Sequence, residues 1–310
     1  MMNTMVPLRK RLGMAIRLLG VVFVMLVAFM VSAMVPGTDV PALSPAEAQV
    51  SAQVMLLVCT VNALILAYLA LRSRCHGWRL VGALLLAQYG VETLMPQIET
   101  VVFNQALQLS TAQIVALFIT GFLRALIFAP LAVWLLGKFR NDNNDNVVAQ
   151  PSNRLHLSTR AWATRLTLLA ALYTVIYFLF GYFVAWQSPE LRQFYSGSTT
   201  ILPFFTHMAQ TLRSDPWLVL IQFGRGYLWV LVVLPVVCMF RGGRWETCFA
   251  LALLLAVLLA DFILFPNPFM PVAVRMAHFT ELWTSMALFG VLIGWVLLFN
   301  PPKRSQAATA

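Results

Sequence analysis

A chain of 310 residues that is 60% hydrophobic and only 10% charged cannot present a water-soluble surface, since soluble domains carry roughly 25% charged residues. Its formal charge of +10 raises nucleic acid as a partner, but the basic residues sit in short segments between apolar runs rather than on one continuous face, which argues against it. The four cysteines, Cys59, Cys75, Cys238 and Cys248, have neither metal-ligand spacing nor a disulfide framework.

Apolar runs long enough to cross a hydrocarbon core of ~30 Å follow one another along the chain. The first, 14–35, comes after Arg9, Lys10 and Arg11. Val31-Ser32-Ala33 resembles a signal-peptidase site, but the length of the run fits an uncleaved anchor better. The second is 53–71, and the third, 80–102, carries Glu92 and Glu99. A spacing of seven predicts both carboxylates on one helical face. The fourth, 113–136, contains Arg124. Residues 138–163, with the run from Asn141 to Asn146, read as a polar cytoplasmic linker between two four-helix halves, 1–137 and 164–310.

The fifth run, 164–186, precedes an outer segment, 187–215, that mixes aromatic and polar residues. It reads as an interfacial helix or lid, or as a loop resting on headgroups. The sixth, 216–238, holds Arg225, and the seventh, 246–265, places Asp261 one turn before its end. The eighth, 277–298, begins after Arg275 and carries His278, Glu281 and Ser285 on one stripe. The fold expected is therefore an all-α integral membrane bundle of about eight helices with a short C-terminal tail.

Sixteen Lys and Arg residues fall on one side of this arrangement, and only Arg192, Arg213 and Arg275 on the other. The positive-inside rule then puts both termini in the cytoplasm. With no Asn-x-Ser/Thr sequon present, a bacterial inner (plasma) membrane is the location expected.

Ionisable groups inside a bilayer cost ~2.5–3.5 kcal/mol each on insertion scales, so they should face one another or water. Here they all fall at mid-depth or in the outer half: Glu92, Arg124, Arg225, Asp261, His278 and Glu281. Arg124 is expected to pair with Glu92, and Arg225 with Asp261 or Glu281. The pairs either fix helix register or line a cavity. His278 and Glu281, at i and i+3, could approach a metal with Glu92 or Asp261, but a single His makes a poor site and no metal or other cofactor is called for. Ser285 near His278 lacks a nucleophile elbow, and no nucleotide-binding loop occurs.

Phe122/Arg124 and Phe223/Arg225, followed at equal distance by Phe139/Arg140 and Phe240/Arg241, hint at a duplicated unit. Gly290 and Gly294 offer one face for close packing, within the bundle or against a second copy. These features lead to binding and transport of a small polar or ionic solute through an outer-half polar cluster. The arginines would attract an anionic group, and Glu92, Asp261 or Glu281 would exchange a proton. The alternatives are an intramembrane enzyme acting on a lipid or lipid-linked substrate, and a non-catalytic subunit that copurifies with a membrane partner.

Overall fold

A computed structural model describes residues 8–37, 43–139, 157–266 and 270–298, and among them there are helices and no β-strand. The elements are α1 (Leu8–Ser32), α2 (Pro45–Leu71), α3 (Gly77–Tyr89), a π turn (Gly90–Leu94), α4 (Met95–Val102), α5 (Asn104–Leu107) and α6 (Thr111–Leu135). There follow α7 (Thr159–Phe183), α8 (Pro189–Ser196), α9 (Phe204–Ser214), α10 (Leu218–Met239), α11 (Arg244–Ala260) and α12 (Val272–Leu297). Short 3₁₀ turns cover Ala185–Gln187 and Asp261–Leu264.

The helix starts are written locally. Ser44 and Ser110 accept from the backbone N–H groups of Glu47 and Gln113, whose side chains reach back to the cap residues. These capping boxes satisfy N–H groups that the first turn leaves unpaired. Ser158 and Ser188 cap α7 and α8 in the simpler way.

Among the described residues, seven helices are long and apolar enough to cross a membrane. The third apolar run is helical across 77–102 as well, but the π turn divides it into pieces. The bundle turns large apolar side chains outward, Leu19, Phe23, Leu220 and Phe249 among them. Such a surface marks a multi-pass helical membrane protein, because water would penalise an apolar exterior of this extent.

The helices pack in a ring. α1 lies between α2 and α6, α3 between α6 and α10, α7 between α10 and α12, and α11 returns from α12 to α2. Glycines set the tightest approaches: a Cβ at Gly290 would stand 2.6 Å from the Leu251 carbonyl, and one at Gly294 2.8 Å from Cys248 Sγ. The Gly290–Gly294 face is thus consumed by α11 within the bundle. At one end, Arg72 grips Glu246 through two short hydrogen bonds, 2.7 Å from Nε and 2.6 Å from Nη2, tying α2 to α11.

Two expectations meet the described boundaries. Most of the polar linker, residues 140–156, lies outside the described residues, as does the tail from 299 onward. Val31-Ser32 closes α1, with Ala33 in the following turn. The segment 187–215, expected on the outer side, is not a plain loop: α8 and α9 occupy most of it. Buried Arg192 pins the segment, donating to the carbonyls of Trp186 (2.6 Å) and Thr199 (2.8 Å).

Candidate functional site

Apart from Arg192 and Arg275, which bind backbone carbonyls, the buried ionisable groups fall into two clusters. In the first, the π turn of the third apolar run carries Glu92 inward. Its carboxylate accepts from Asn62 Nδ2 on α2 at 3.2 Å and from Gln88 Nε2 at 3.3 Å. Arg124 Nε on α6 lies 3.6 Å away, so the pairing of Arg124 with Glu92 holds as an ion pair. The guanidinium is also stacked between rings, 5.0 Å from the centroid of Phe29 and 4.5 Å from that of Phe262. These aromatic faces favour a cation that has lost its water. Gly121 makes room for the turn, since any Cβ there would collide with the Thr93 side chain.

Asp261 joins this cluster from the end of α11. It is 6% exposed and acts electrostatically on the same surroundings as Glu92 and Arg124. Asn62 and the Phe262 backbone N–H lie near it, yet neither reaches its two oxygens with hydrogen-bonding geometry. The cluster therefore holds two carboxylates, one guanidinium, and donors already committed to Glu92. Cys59, on α2, is buried within electrostatic range of all three charged groups.

Arg225 belongs to the second cluster. It donates to Gln222 Oε1 at 2.8 Å, to Glu99 Oε2 at 3.0 Å and to the Met95 carbonyl at 3.3 Å. Pairing of Arg225 with Asp261 or Glu281 is thus corrected to Glu99, because α10 packs mainly against the third apolar run and α7, and at most marginally against α11 or α12. Glu92 and Glu99, spaced to lie on one helical face, meet different arginines. Glu92 sits inside the π turn and faces α2 and α6, while Glu99 lies beyond it on α4 and reaches Arg225 of α10.

His278 and Glu281 come together as their spacing predicts, with Nδ1 3.0 Å from Glu281 Oε2. The other imidazole nitrogen, Nε2, lies 3.1 Å from the Tyr195 hydroxyl of α8. Both ring nitrogens are engaged, and among the described residues no group of three His, Cys, Asp or Glu side chains is placed to hold a metal. Ser285 donates to the Leu282 carbonyl of its own helix at 3.4 Å and takes no part in this chain of contacts. Tyr173, Tyr177 and Tyr195 all lie within electrostatic range of Glu99 and Glu281, so the pairs Arg225–Glu99 and His278–Glu281 border one aromatic region. Arg225 stands 5.9 Å from the Tyr173 ring centroid.

Arg275, in the first turn of α12, donates to the carbonyls of Ile263 and Leu264 at 3.2 Å and to that of Phe265. It closes the turn that follows Asp261. Sequence reasoning missed Asn62, Gln88, Gln222 and Tyr195. Each is an uncharged polar residue whose part depends on which helix stands opposite, and a tally of charges passes over all four. Compared with known proteins, the chain matches no family model, no curated protein and no solved structure.

Proposed function

We propose that this chain is an eight-span protein of a bacterial inner membrane, with both termini cytoplasmic, that binds and transports a small polar or ionic solute. The solute would enter from the outer side at the region bordered by Arg225–Glu99 and His278–Glu281. The observation that carries this is the graded exposure of the second cluster. The Glu99 side chain is 31% exposed and His278 24%, while Arg225 is 4% and Glu281 9%. Polar groups thus run from an accessible rim to a buried charge, which register-fixing ion pairs have no need of. The break in the third apolar run beside this cluster supports the same reading, because interrupted helices in transporters carry their binding sites.

One observation favours a second reading. His278, oriented by a carboxylate and facing a hydroxyl, has the arrangement of an acid–base group. An intramembrane enzyme acting on a lipid or lipid-linked substrate could use it. The two readings separate in one experiment: purified protein is screened for thermal stabilisation against small anions, zwitterions, cations and lipid headgroup analogues. The stabilising compound is then followed in liposomes for flux and in detergent for chemical turnover. Transport predicts flux without turnover, and loss of stabilisation in Arg225→Gln at unchanged folded yield. Turnover in detergent would overturn it.

A further inference from the structure

The ring of helices repeats its own order. Its first half runs α2–α1–α6–α3, and its second α10–α7–α12–α11, so the apolar runs one to four of each half occupy equivalent places. Side chains repeat with them. Arg17, on the first helix of one half, donates to the Leu136 carbonyl at the end of its fourth helix (3.3 Å). Arg165, on the first helix of the other, donates to the Leu297 carbonyl at the end of its own fourth helix (2.7 Å). The ends of the two second helices meet in an antiparallel bridge of Ser73 with Phe240. The backbone bonds there are reciprocal: Arg74 N–H to Met239 at 2.7 Å, and Arg241 N–H to Arg72 at 2.8 Å.

The sequence carries the same duplication in one register. Arg72 and Arg241, the runs Ala83-Leu84-Leu85-Leu86-Ala87 and Ala252-Leu253-Leu254-Leu255-Ala256, Glu92 and Asp261, and Gly121 and Gly290 are all separated by the same number of residues. Both glycines press the fourth helix of a half onto the third, against Thr93 and against Leu251. Both third helices lose α geometry at their acid: Glu92 lies in a π turn and Asp261 opens a 3₁₀ turn. The hint of duplication between the helices of Arg124 and Arg225 is corrected accordingly, since α6 corresponds to α12 and α10 to α2.

The two equivalent acids lie within electrostatic range of each other across the seam between the halves, where α11 packs against the π turn. Around them, α2 supplies Asn62 and Cys59, α6 supplies Arg124, α3 supplies Gln88, and α1 supplies the Phe29 ring. From α12, Arg275 is spent on backbone carbonyls, while His278 and Glu281 bind each other. Arg124 can balance one carboxylate, and both neutral donors serve Glu92. Asp261 is left buried with no hydrogen bond to either oxygen, a state in which an ionised carboxylate costs several kcal/mol.

We propose that Glu92 and Asp261 form one proton site on the seam between two tandem-repeat halves. One carboxylate pairs with Arg124, the other carries a proton, and that proton passes to water when the halves move apart. This deepens the transport reading by naming the coupled ion and where it rides. Rocking of parallel repeats about a mid-membrane site is the motion such folds use.

The test is infrared difference spectroscopy of the purified protein, following the protonated-carboxyl C=O band between neutral and alkaline pH. Wild type should show the band at neutral pH and lose it on alkalinisation, and Asp261→Asn should lack it. Glu92→Gln should lack it too, because Arg124 then balances Asp261, whereas Arg124→Gln should gain a second protonated carboxyl. Melting curves identify any variant that has not folded, and wild type against the near-isosteric Asp261→Asn suffices alone. Identical spectra for that pair would overturn the proposal, as would a wild-type band abolished by sodium at fixed pH. Flux is not read in this experiment, so a failed transport assay counts against the function and not against the proton site.

Discussion

Breaking the Arg225–Glu99 pair from its two sides should have unequal cost. Glu99→Gln leaves a guanidinium that is 4% exposed with no carboxylate partner, its remaining native acceptors being Gln222 and the Met95 carbonyl. Removing one partner of a buried ion pair costs about 3–5 kcal/mol; since glutamine still offers an acceptor oxygen, about 3 kcal/mol is the figure to expect. Arg225→Gln leaves Glu99, whose side chain is 31% exposed, and water can solvate that carboxylate. The loss there should approach that of an exposed pair, ~1 kcal/mol, with a little more for the lost hydrogen bonds. Unfolding of both variants and of the double variant in mixed micelles, titrated with a denaturing detergent, measures the difference. Equal losses, or a larger loss in Arg225→Gln, would refute the assignment of Arg225 as the buried partner.

Other consequences are open to direct measurement. Gly290→Leu forces α11 and α12 apart and should destabilise by about 1–3 kcal/mol or more; Gly181→Leu, where a Cβ meets nothing within 4 Å, should be near neutral by the same melting assay. Tyr195→Phe removes the hydroxyl facing His278 and should raise hydrogen exchange in α8 while leaving the transmembrane core protected. His207 packs on Trp186 at 4.8 Å and on Tyr182 at 5.4 Å, and burial lowers its pKa below the usual 6.5. Its neutral form is the one that packs, so that contribution is complete above pH ~6.5 and is lost as pH falls through the lowered value. Exchange protection of α9 should therefore drop on acidification in wild type and lose that dependence in His207→Phe.

The apolar runs were legible because crossing a bilayer demands about 20 apolar residues, a requirement few other constraints imitate. Seven of them stand out as long apolar helices, and the third was readable from hydropathy despite its interruption. That interruption was not readable. Gly90-Val91-Glu92-Thr93-Leu94 has nothing that forbids α geometry, and the turn arises where Gly90 and Gly121 let neighbouring helices close in. The seven-residue spacing of Glu92 and Glu99 carries no sign that the two meet different arginines.

Arg124 found its predicted partner because its helix packs on the third apolar run, as adjacency along the chain would suggest. Arg225 did not, because its neighbour is fixed by how one half meets the other. The duplication was present in the sequence, in two Ala-Leu-Leu-Leu-Ala runs each followed at equal distance by an acid. It was masked by a shorter coincidence of Phe and Arg on helices that run in the same direction but occupy inequivalent places.

Coupling of solute entry to the seam is tested most directly by charge movement on a solid-supported membrane. Wild-type proteoliposomes exposed to a jump in the stabilising solute should give a transient current that changes with external pH. Asp261→Asn should bind the same solute, judged by thermal stabilisation, and give a current that no longer responds to pH. A pH-independent current in wild type, or an unchanged pH response in Asp261→Asn, would contradict the account.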